Sequence, residues 1–240
     1  MKKIVTISTL AAICSLSIGA ASAEDEKKSA WEGNVDVNAL FTSGNSSQTS
    51  FGIGGKATYA SGPFSHTVTG FADFNKSAGI KDRERFGGGY NLKFDFSERT
   101  FFTLDTILES NKFGAFRKRA AVAAGAGYRI KDTETLKWTI EGAPSVIYTK
   151  NIEGADYVSD FSAFARSNFE WNITSTTTFT NTTSAYLGGR SILETKSAFE
   201  FQIWESITSK FSYDILYDKD APADRKSTDT VARIGLSYGF

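Results

Sequence analysis

Histidine, cysteine, methionine and proline are scarce in this sequence, which has one His, one Cys, one Met and three Pro in 240 residues. One His and one Cys are too few for a typical zinc site or a Cys–His catalytic pair. Basic and acidic side chains number 27 each, so the chain lacks the basic field that nucleic acid attracts. These absences argue against metalloenzymes, thiol enzymes and nucleic-acid-binding proteins, and we expect no cofactor.

Aromatic residues and glycine are plentiful by contrast. The chain has 20 Phe, 9 Tyr and 21 Gly, and aromatics make up 14% of it. Disordered chains are poor in aromatic residues, so this composition predicts a folded protein.

The first 23 residues are predicted to be a cleaved signal peptide. Lys2 and Lys3 precede an apolar stretch of residues 4–21, and Ala21-Ser22-Ala23 has the small residues of a cleavage site. The stretch is too short, and too rich in Ser and Thr, for a stable membrane span. Residues 24–30 are charged and are predicted to form a flexible leader, which leaves residues 31–240 to fold.

From Trp31 onward the sequence alternates with period two, which is the pattern of β-strands. Between Phe86 and Phe96, for example, large apolar residues alternate with Gly, Asn, Lys and Asp. Soluble strands usually have about 5–6 residues, whereas a tilted membrane strand needs about 9–11. The pattern predicts twelve long strands, near residues 31–42, 48–60, 64–75, 83–96, 100–111, 116–130, 136–149, 157–171, 175–187, 192–205, 207–218 and 227–240.

Two architectures share this alternation. A soluble sandwich turns its apolar faces inward, whereas a membrane barrel turns them toward lipid and encloses the polar faces. Aromatics near the predicted strand ends, including Trp31, Trp138 and Trp171, favour the barrel because they match interfacial girdles. We therefore predict an all-β fold, a transmembrane antiparallel up-and-down β-barrel of about twelve strands with short periplasmic turns.

Two segments fit this pattern poorly. Pro144 lies within the seventh run and cannot donate to a ladder, so we predict a bulge near residues 142–144. The ninth run is rich in Thr, Ser and Asn, and its alternation is too weak to assign its faces.

The connections between runs alternate in length. If both termini lie in the periplasm, the odd-numbered connections are extracellular, and they are longer on average than the even-numbered turns. Long outside loops and short inside turns are expected of bacterial barrels.

The two ends of the predicted barrel carry recognisable motifs. A terminal Phe240 after the alternating residues Ile234, Leu236 and Tyr238 resembles the assembly signal of bacterial outer membrane proteins. That resemblance implies recognition by the barrel-assembly machinery and insertion into outer membrane lipid. At the other end, Trp31-Glu32-Gly33 and Thr42-Ser43-Gly44-Asn45-Ser46 flank the first strand. This pairing resembles the salt-induced outer membrane protein family, which is classed as domain of unknown function 481. The family implies a barrel in the outer membrane of a Gram-negative cell, with no established substrate or catalytic residues.

In a barrel, charged side chains of the strands would face the lumen, because a charge at the lipid face costs roughly 2–4 kcal/mol at mid-bilayer. Four arginines near the predicted extracellular ends could attract small anions, or they could pair with acids on adjacent strands. Twelve strands lie between the eight of a filled barrel and the sixteen of a wide pore, so strand number does not decide whether the lumen is open. The lumen-lining candidates are Arg83, Arg85, Arg117, Arg119, Arg166, Asp73, Asp105, Glu109 and Asp160.

The leading hypothesis is a narrow passive channel for small polar or charged solutes. The alternative is a non-conducting structural or envelope-stress barrel with an ion-paired lumen. A third class is an outer membrane hydrolase, for which His66 would be the general base. His66 has no nucleophile motif nearby and falls near the predicted periplasmic end, so an interfacial role is favoured and no catalytic residue is assigned.

Overall fold

The computed structural model describes residues 31–43, 49–77, 80–114, 116–151, 157–189, 191–221 and 226–240. The predicted signal peptide and leader, and residues Gly44 to Ser46 of the second family motif, lie outside the described residues. Within the described ranges, no helix is long and apolar enough to cross a membrane. The strands are β1 Trp31–Ser43, β2 Thr49–Ser61, β3 Phe64–Ser77, β4 Ile80–Asp95, β5 Thr100–Asn111, β6 Lys118–Asp132, β7 Leu136–Lys150, β8 Tyr157–Asn172, β9 Thr177–Gly188, β10 Ile192–Trp204, β11 Ile207–Asp218 and β12 Thr228–Gly239.

The twelve strands form one closed antiparallel barrel. Each strand pairs with its neighbours in the sequence, and β1 pairs with β12 to complete the ring. Because the ring is closed, no strand edge is left unpaired. The hydrocarbon core of a membrane requires this, since it offers no hydrogen-bond partners to the backbone. The predicted strand number and up-and-down topology are confirmed.

The seam between β1 and β12 is tightly fitted. Gly33 and Phe240 exchange two backbone hydrogen bonds, each 2.9 Å long. A Cβ atom at position 33 would lie 2.6 Å from both Phe240 Cζ and the carbonyl oxygen of Lys56. Only glycine therefore fits beside the last residue.

The outer wall is apolar. Phe161 is 82% exposed and Leu108 66% exposed on the outward faces of β8 and β5. Near the end that carries the termini, Trp31 and Tyr59 pack with ring centroids 4.9 Å apart. In a sandwich such residues would meet between two layers, so the soluble alternative is wrong.

The two ends of the barrel differ in their connections. The end at which β1 begins and β12 ends, here called the termini end, has the connections 62–63, 96–99, 133–135, 173–176 and 205–206. The opposite loop end has 44–48, 78–79, 112–117, 151–156, 189–191 and 219–227. The predicted difference in length is confirmed, whereas the periplasmic position of the termini stays a prediction.

The bulge predicted at residues 142–144 is wrong. β6 and β7 keep one register past Pro144, and their register shift lies between Arg129 and Lys131. Opposite this segment, a Cβ atom at Gly125 would overlap the carbonyl oxygen of Gly142 and lie 2.6 Å from Ala143 Cβ. The two backbones therefore approach closely at Gly125, and no residue is inserted beside Pro144.

The weakly alternating ninth run has a defined register as β9. Thr182 and Ser184 line the lumen, whereas Asn181 and Thr183 face outward. Asn181 Nδ2 donates to Ser197 Oγ at 2.9 Å, and the hydroxyls of Thr183 and Thr195 are 3.2 Å apart. Because these polar groups bond to one another, they tolerate an outward position.

Candidate functional site in the lumen

An open cavity of about 880 Å³ occupies the lumen toward the termini end, and we call it the vestibule. It runs from Glu32 and Lys137, near the termini end, to Arg85 and Glu194 deeper in the barrel. Small inward residues such as Gly54 and Thr69 leave this space free.

The vestibule wall carries charges that remain in contact with water. Lys137 Nζ lies 3.4 Å from Glu170 Oε1, and their side chains are 55% and 41% exposed. Lys56 is also exposed and lines the cavity. Solvent screens such charges, so they can exchange partners at little cost.

A first ion-pair cluster lies between β4, β5, β7 and β8. Arg166 Nη1 lies 2.5 Å from Asp105 Oδ1 and 3.3 Å from Glu141 Oε2. Lys93 Nζ lies 2.9 Å from Glu141 Oε1. Arg166–Glu141 joins neighbouring strands, whereas the contacts of Arg166 with Asp105 and of Lys93 with Glu141 join strands that are not neighbours and so cross part of the lumen.

A second cluster lies nearer the loop end. Glu109 accepts hydrogen bonds from Arg85 Nε at 2.6 Å and from Arg119 Nη2 at 2.8 Å. The Glu109 side chain is only 2% exposed. Arg85 also stacks on Phe71, with Cζ 4.8 Å from the ring centroid. The arginines held by Glu109 are therefore committed to a buried network.

On the far side of the barrel, Arg233 links two acids. It forms an ion pair with Asp214 on β11 and lies 3.6 Å from Asp73 Oδ2 on β3. Asp73 is thus drawn toward β12, although it pairs in backbone register with Arg85.

The loop-end half of the lumen is filled on one side by apolar side chains. Phe116, from the connection between β5 and β6, is 1% exposed and lies under Arg119, whose Cζ is 4.8 Å from its ring. The loop-end cluster comprises Ala121, Ala123, Ala143, Ile147, Phe164, Tyr186 and Ile192, with Leu216 packed against it.

Residues 35–240 match the family model described as "Protein of unknown function, DUF481". The chain belongs to the DUF481 family. The family resemblance drawn from the two short motifs is thereby confirmed. No curated protein matches the chain.

Solved structures of two porins are similar to this DUF481 barrel. The NanC porin has a TM-score of 0.57 at 14% identity, and the match covers 85% of this chain and 98% of that one. The KdgM porin has a TM-score of 0.52 at 10% identity, and the match covers 86% and 99% of the two chains. A complex of the KdgM porin with disordered oligogalacturonate gives a TM-score of 0.50 at 10% identity, covering 86% and 99%. At these identities the likeness shows a shared fold.

The structure brings together most of the predicted lumen residues. Arg85, Glu109 and Arg119 form one network, as the ion-pairing alternative predicted. Asp105 pairs with Arg166 of β8 and not with one of the four arginines near the loop end. Asp73 likewise forms its ion pair with Arg233 of β12 and not with one of those four arginines.

Three predicted candidates stand apart from these clusters. Arg83 is buried at the loop end, and its Nε has no hydrogen-bond partner. Arg117 lies in the connection before β6, and Asp160 lies on β8 facing Gly189. Among the described residues, neither Arg117 nor Asp160 joins the ion pairs of the two networks.

Several large apolar residues point inward, which the alternating pattern did not predict. Phe101, Phe116 and Phe164 are almost fully buried inside the barrel, although large apolar residues were predicted to face lipid. One signal was present, because residues 120–126 are apolar or glycine on both faces. A strand without a polar face in a barrel of this size indicates a filled lumen beside it.

His66 lies where the sequence predicted. His66 faces outward near the termini end, with Nδ1 2.8 Å from the hydroxyl of Tyr90. A Cβ atom at Gly87 would lie 2.9 Å from the Phe71 ring. Gly87 therefore makes room for a side chain inside the barrel.

Proposed function

We propose that this protein is an outer membrane channel for passive passage of small polar or charged solutes. The vestibule carries the proposal, because it is an open cavity of about 880 Å³ lined largely by polar and charged side chains. Its inner end is formed by the side chains of Arg85 and Glu194 rather than by packed backbone.

The charge of the vestibule indicates the kind of solute. Acidic and basic residues are equal in number along its wall, so it has no strong field of either sign. Its acids are Glu32, Asp36, Asp73, Asp105, Glu170, Glu194, Glu200 and Asp214, and its bases are Lys56, Arg85, Lys93, Lys137, Arg166, Lys196, Lys210 and Arg233. Such a wall suits small solutes of mixed or low net charge.

The similar porins support the proposal without defining its solute. The KdgM porin has been solved in complex with oligogalacturonate, a chain of acidic sugars. By analogy, a barrel of this fold passes hydrophilic molecules, and the balanced vestibule then favours smaller and less acidic ones.

A non-conducting barrel is the second candidate. The buried Glu109 between Arg85 and Arg119, together with Phe116 at the loop end, favours it because these groups fill the lumen there. In this case the ion pairs would serve stability alone.

Single-channel recording in planar bilayers tests the proposal. We expect discrete openings whose conductance rises with KCl concentration, because small ions would follow the vestibule. Phe116→Ala should enlarge the openings, since the ring is 1% exposed within the loop-end half. Phe113→Ala, in the same connection, is the matched control. Wild-type protein that is silent at every salt concentration would instead establish the non-conducting barrel.

We also propose that β12 is read by the barrel-assembly machinery. Ile234, Leu236, Tyr238 and Phe240 are all more than half exposed on the outer wall, where a partner could contact them. Replacing Phe240 by Ser should lower the amount of folded barrel in outer membranes, measured as the heat-modifiable band on gels. Unchanged assembly would contradict this proposal.

Hydrolase activity is not part of the proposal. The ring nitrogen of His66 that faces Tyr90 is already hydrogen bonded, within a group of aromatic rings. If purified protein released fatty acid from phospholipid and His66→Ala abolished that release, the protein would be a hydrolase with His66 in its active site.

A further inference from the structure

One ion pair crosses the whole width of the barrel. Arg85 lies on β4 and Glu194 lies on β10, and these strands are six positions apart around the ring in either direction. Arg85 Nη2 nevertheless lies 3.9 Å from Glu194 Oε1. The two side chains therefore meet from opposite walls and form a bar across the lumen.

Both ends of the bar are anchored. Arg85 is held by Glu109 and by the face of Phe71, as described above. Glu194 is held by Lys196, whose Nζ lies 3.1 Å from Glu194 Oε1. The contact between Arg85 and Glu194 is the longest of these ion pairs. Breaking it therefore costs less free energy than breaking the others.

The bar marks the inner limit of the vestibule. Arg85 and Glu194 both line that cavity, and their side chains are only 10% and 18% exposed. A solute that enters from the termini end therefore meets a cation and an anion side by side before it reaches the loop-end half.

We propose that the Arg85–Glu194 pair is the constriction of the channel and that small zwitterions are the solutes it admits best. This inference rests on the proposed function. A solute with one charge is attracted by one of these two side chains and repelled by the other. A solute that carries both a carboxylate and an ammonium group replaces both partners at once.

The balanced vestibule supports this assignment. A wall with equal numbers of acids and bases does not concentrate ions of one sign, whereas it can orient a dipolar solute. The carboxylate of such a solute would face Arg85 and its ammonium group would face Glu194.

Two measurements on reconstituted full-length protein test the inference. Liposome swelling compares serine, a zwitterion, with erythritol, an uncharged solute of similar size. The reversal potential in a KCl gradient reports preference for cations or anions. For the wild-type protein we expect several-fold faster entry of serine than of erythritol, and a reversal potential near zero.

The variants should separate the two ends of the bar. Arg85→Gln should make the channel cation-selective and Glu194→Gln should make it anion-selective, and both should lose the preference for serine. The double variant should conduct more than wild type with little selectivity. Lys81→Gln and Glu84→Gln remove the same charges from an ion pair that does not line the vestibule, and they should change neither measurement.

The possible outcomes test the constriction, the channel and the preference for zwitterions separately. If wild type conducts but Arg85→Gln and Glu194→Gln behave like the Lys81→Gln and Glu84→Gln controls, the assignment of the constriction is wrong and the channel proposal is kept. If wild type is silent and the double variant conducts, the bar closes the lumen and the channel proposal fails. Equal entry of serine and erythritol would overturn the zwitterion assignment.

Folding of the variants is checked by circular dichroism and heat modifiability. Glu194→Gln is the safer variant, because Glu194 is anchored by the exposed Lys196 rather than by the buried Glu109 pair. If Arg85→Gln does not fold, the reversal potential and serine entry of Glu194→Gln still decide the inference.

Discussion

The two halves of the lumen are built from the same alternating strands, and yet one half is open and the other is filled by side chains. In the vestibule, inward positions such as Gly54 and Thr69 are small, and ion pairs such as Lys137–Glu170 remain half exposed. In the loop-end half, inward Phe116 and the buried Glu109 leave little space. The size of the inward side chain therefore decides whether a twelve-stranded barrel is open or filled.

The largest expected effect comes from removing the central acid of the filled half. Glu109→Gln would leave Arg85 and Arg119 close together without their shared counter-charge. Breaking a buried ion pair costs about 3–5 kcal/mol, so the free energy of unfolding should fall by about that amount. Guanidinium unfolding in detergent, followed by tryptophan fluorescence, measures it.

The matched control for Glu109 lies in the vestibule. Glu170→Gln breaks the exposed pair with Lys137, and such pairs contribute about 1 kcal/mol or less. Equal losses for Glu109→Gln and Glu170→Gln would show that the two halves do not differ in the way their exposures indicate.

A glycine pair compares packing in the same two halves. A Cβ atom at Gly125 would lie 2.6 Å from Ala143 Cβ, so Gly125→Ala should destabilise the barrel by about 1–3 kcal/mol through overpacking. At Gly54 the nearest atom is 3.6 Å away, and Gly54→Ala should change stability by about 0.5 kcal/mol at most. The same unfolding measurement applies, and a tolerated Gly125→Ala would show that β6 and β7 can separate there.

The smallest perturbation is a labelling experiment. The only cysteine is Cys14, within the predicted signal peptide, so single cysteines give no background in the processed protein. Thr69→Cys in the vestibule should react quickly with a charged, water-soluble thiol reagent. Thr149→Cys, at a position 1% exposed in the loop-end half, should react many-fold more slowly. Similar rates would mean that water reaches both halves equally.

The strands and their outward faces could be predicted from the sequence because period two is a local signal. Each predicted run lies within a few residues of an observed strand, from Trp31 of β1 to Gly239 of β12. Outward aromatics between Phe86 and Phe94 followed directly from alternation. The ninth run lacked that contrast, and only pairing with β8 and β10 assigned its faces.

The interior was less predictable because its contacts join residues that are distant in sequence. The partner of Asp105 is Arg166, and the partner of Arg85 on the far wall is Glu194, which depends on how the strands stagger around the ring. The inward position of Phe164 also depends on what faces it, namely Tyr186 with ring centroids 5.0 Å apart. Alternation predicts on which face of the strand a side chain lies, but it does not predict whether that face contacts water.

The contact between Gly33 and Phe240 sets an order of events for biogenesis. The hydrogen bonds that close the barrel join β1, its first strand, to β12, which is synthesised after the other eleven strands. The cylinder therefore cannot be sealed before β12 has been made, and β1 must be kept from pairing wrongly until then. Premature termination within β12 would produce an open sheet, a form unsuited to hydrocarbon and a ready target for proteases.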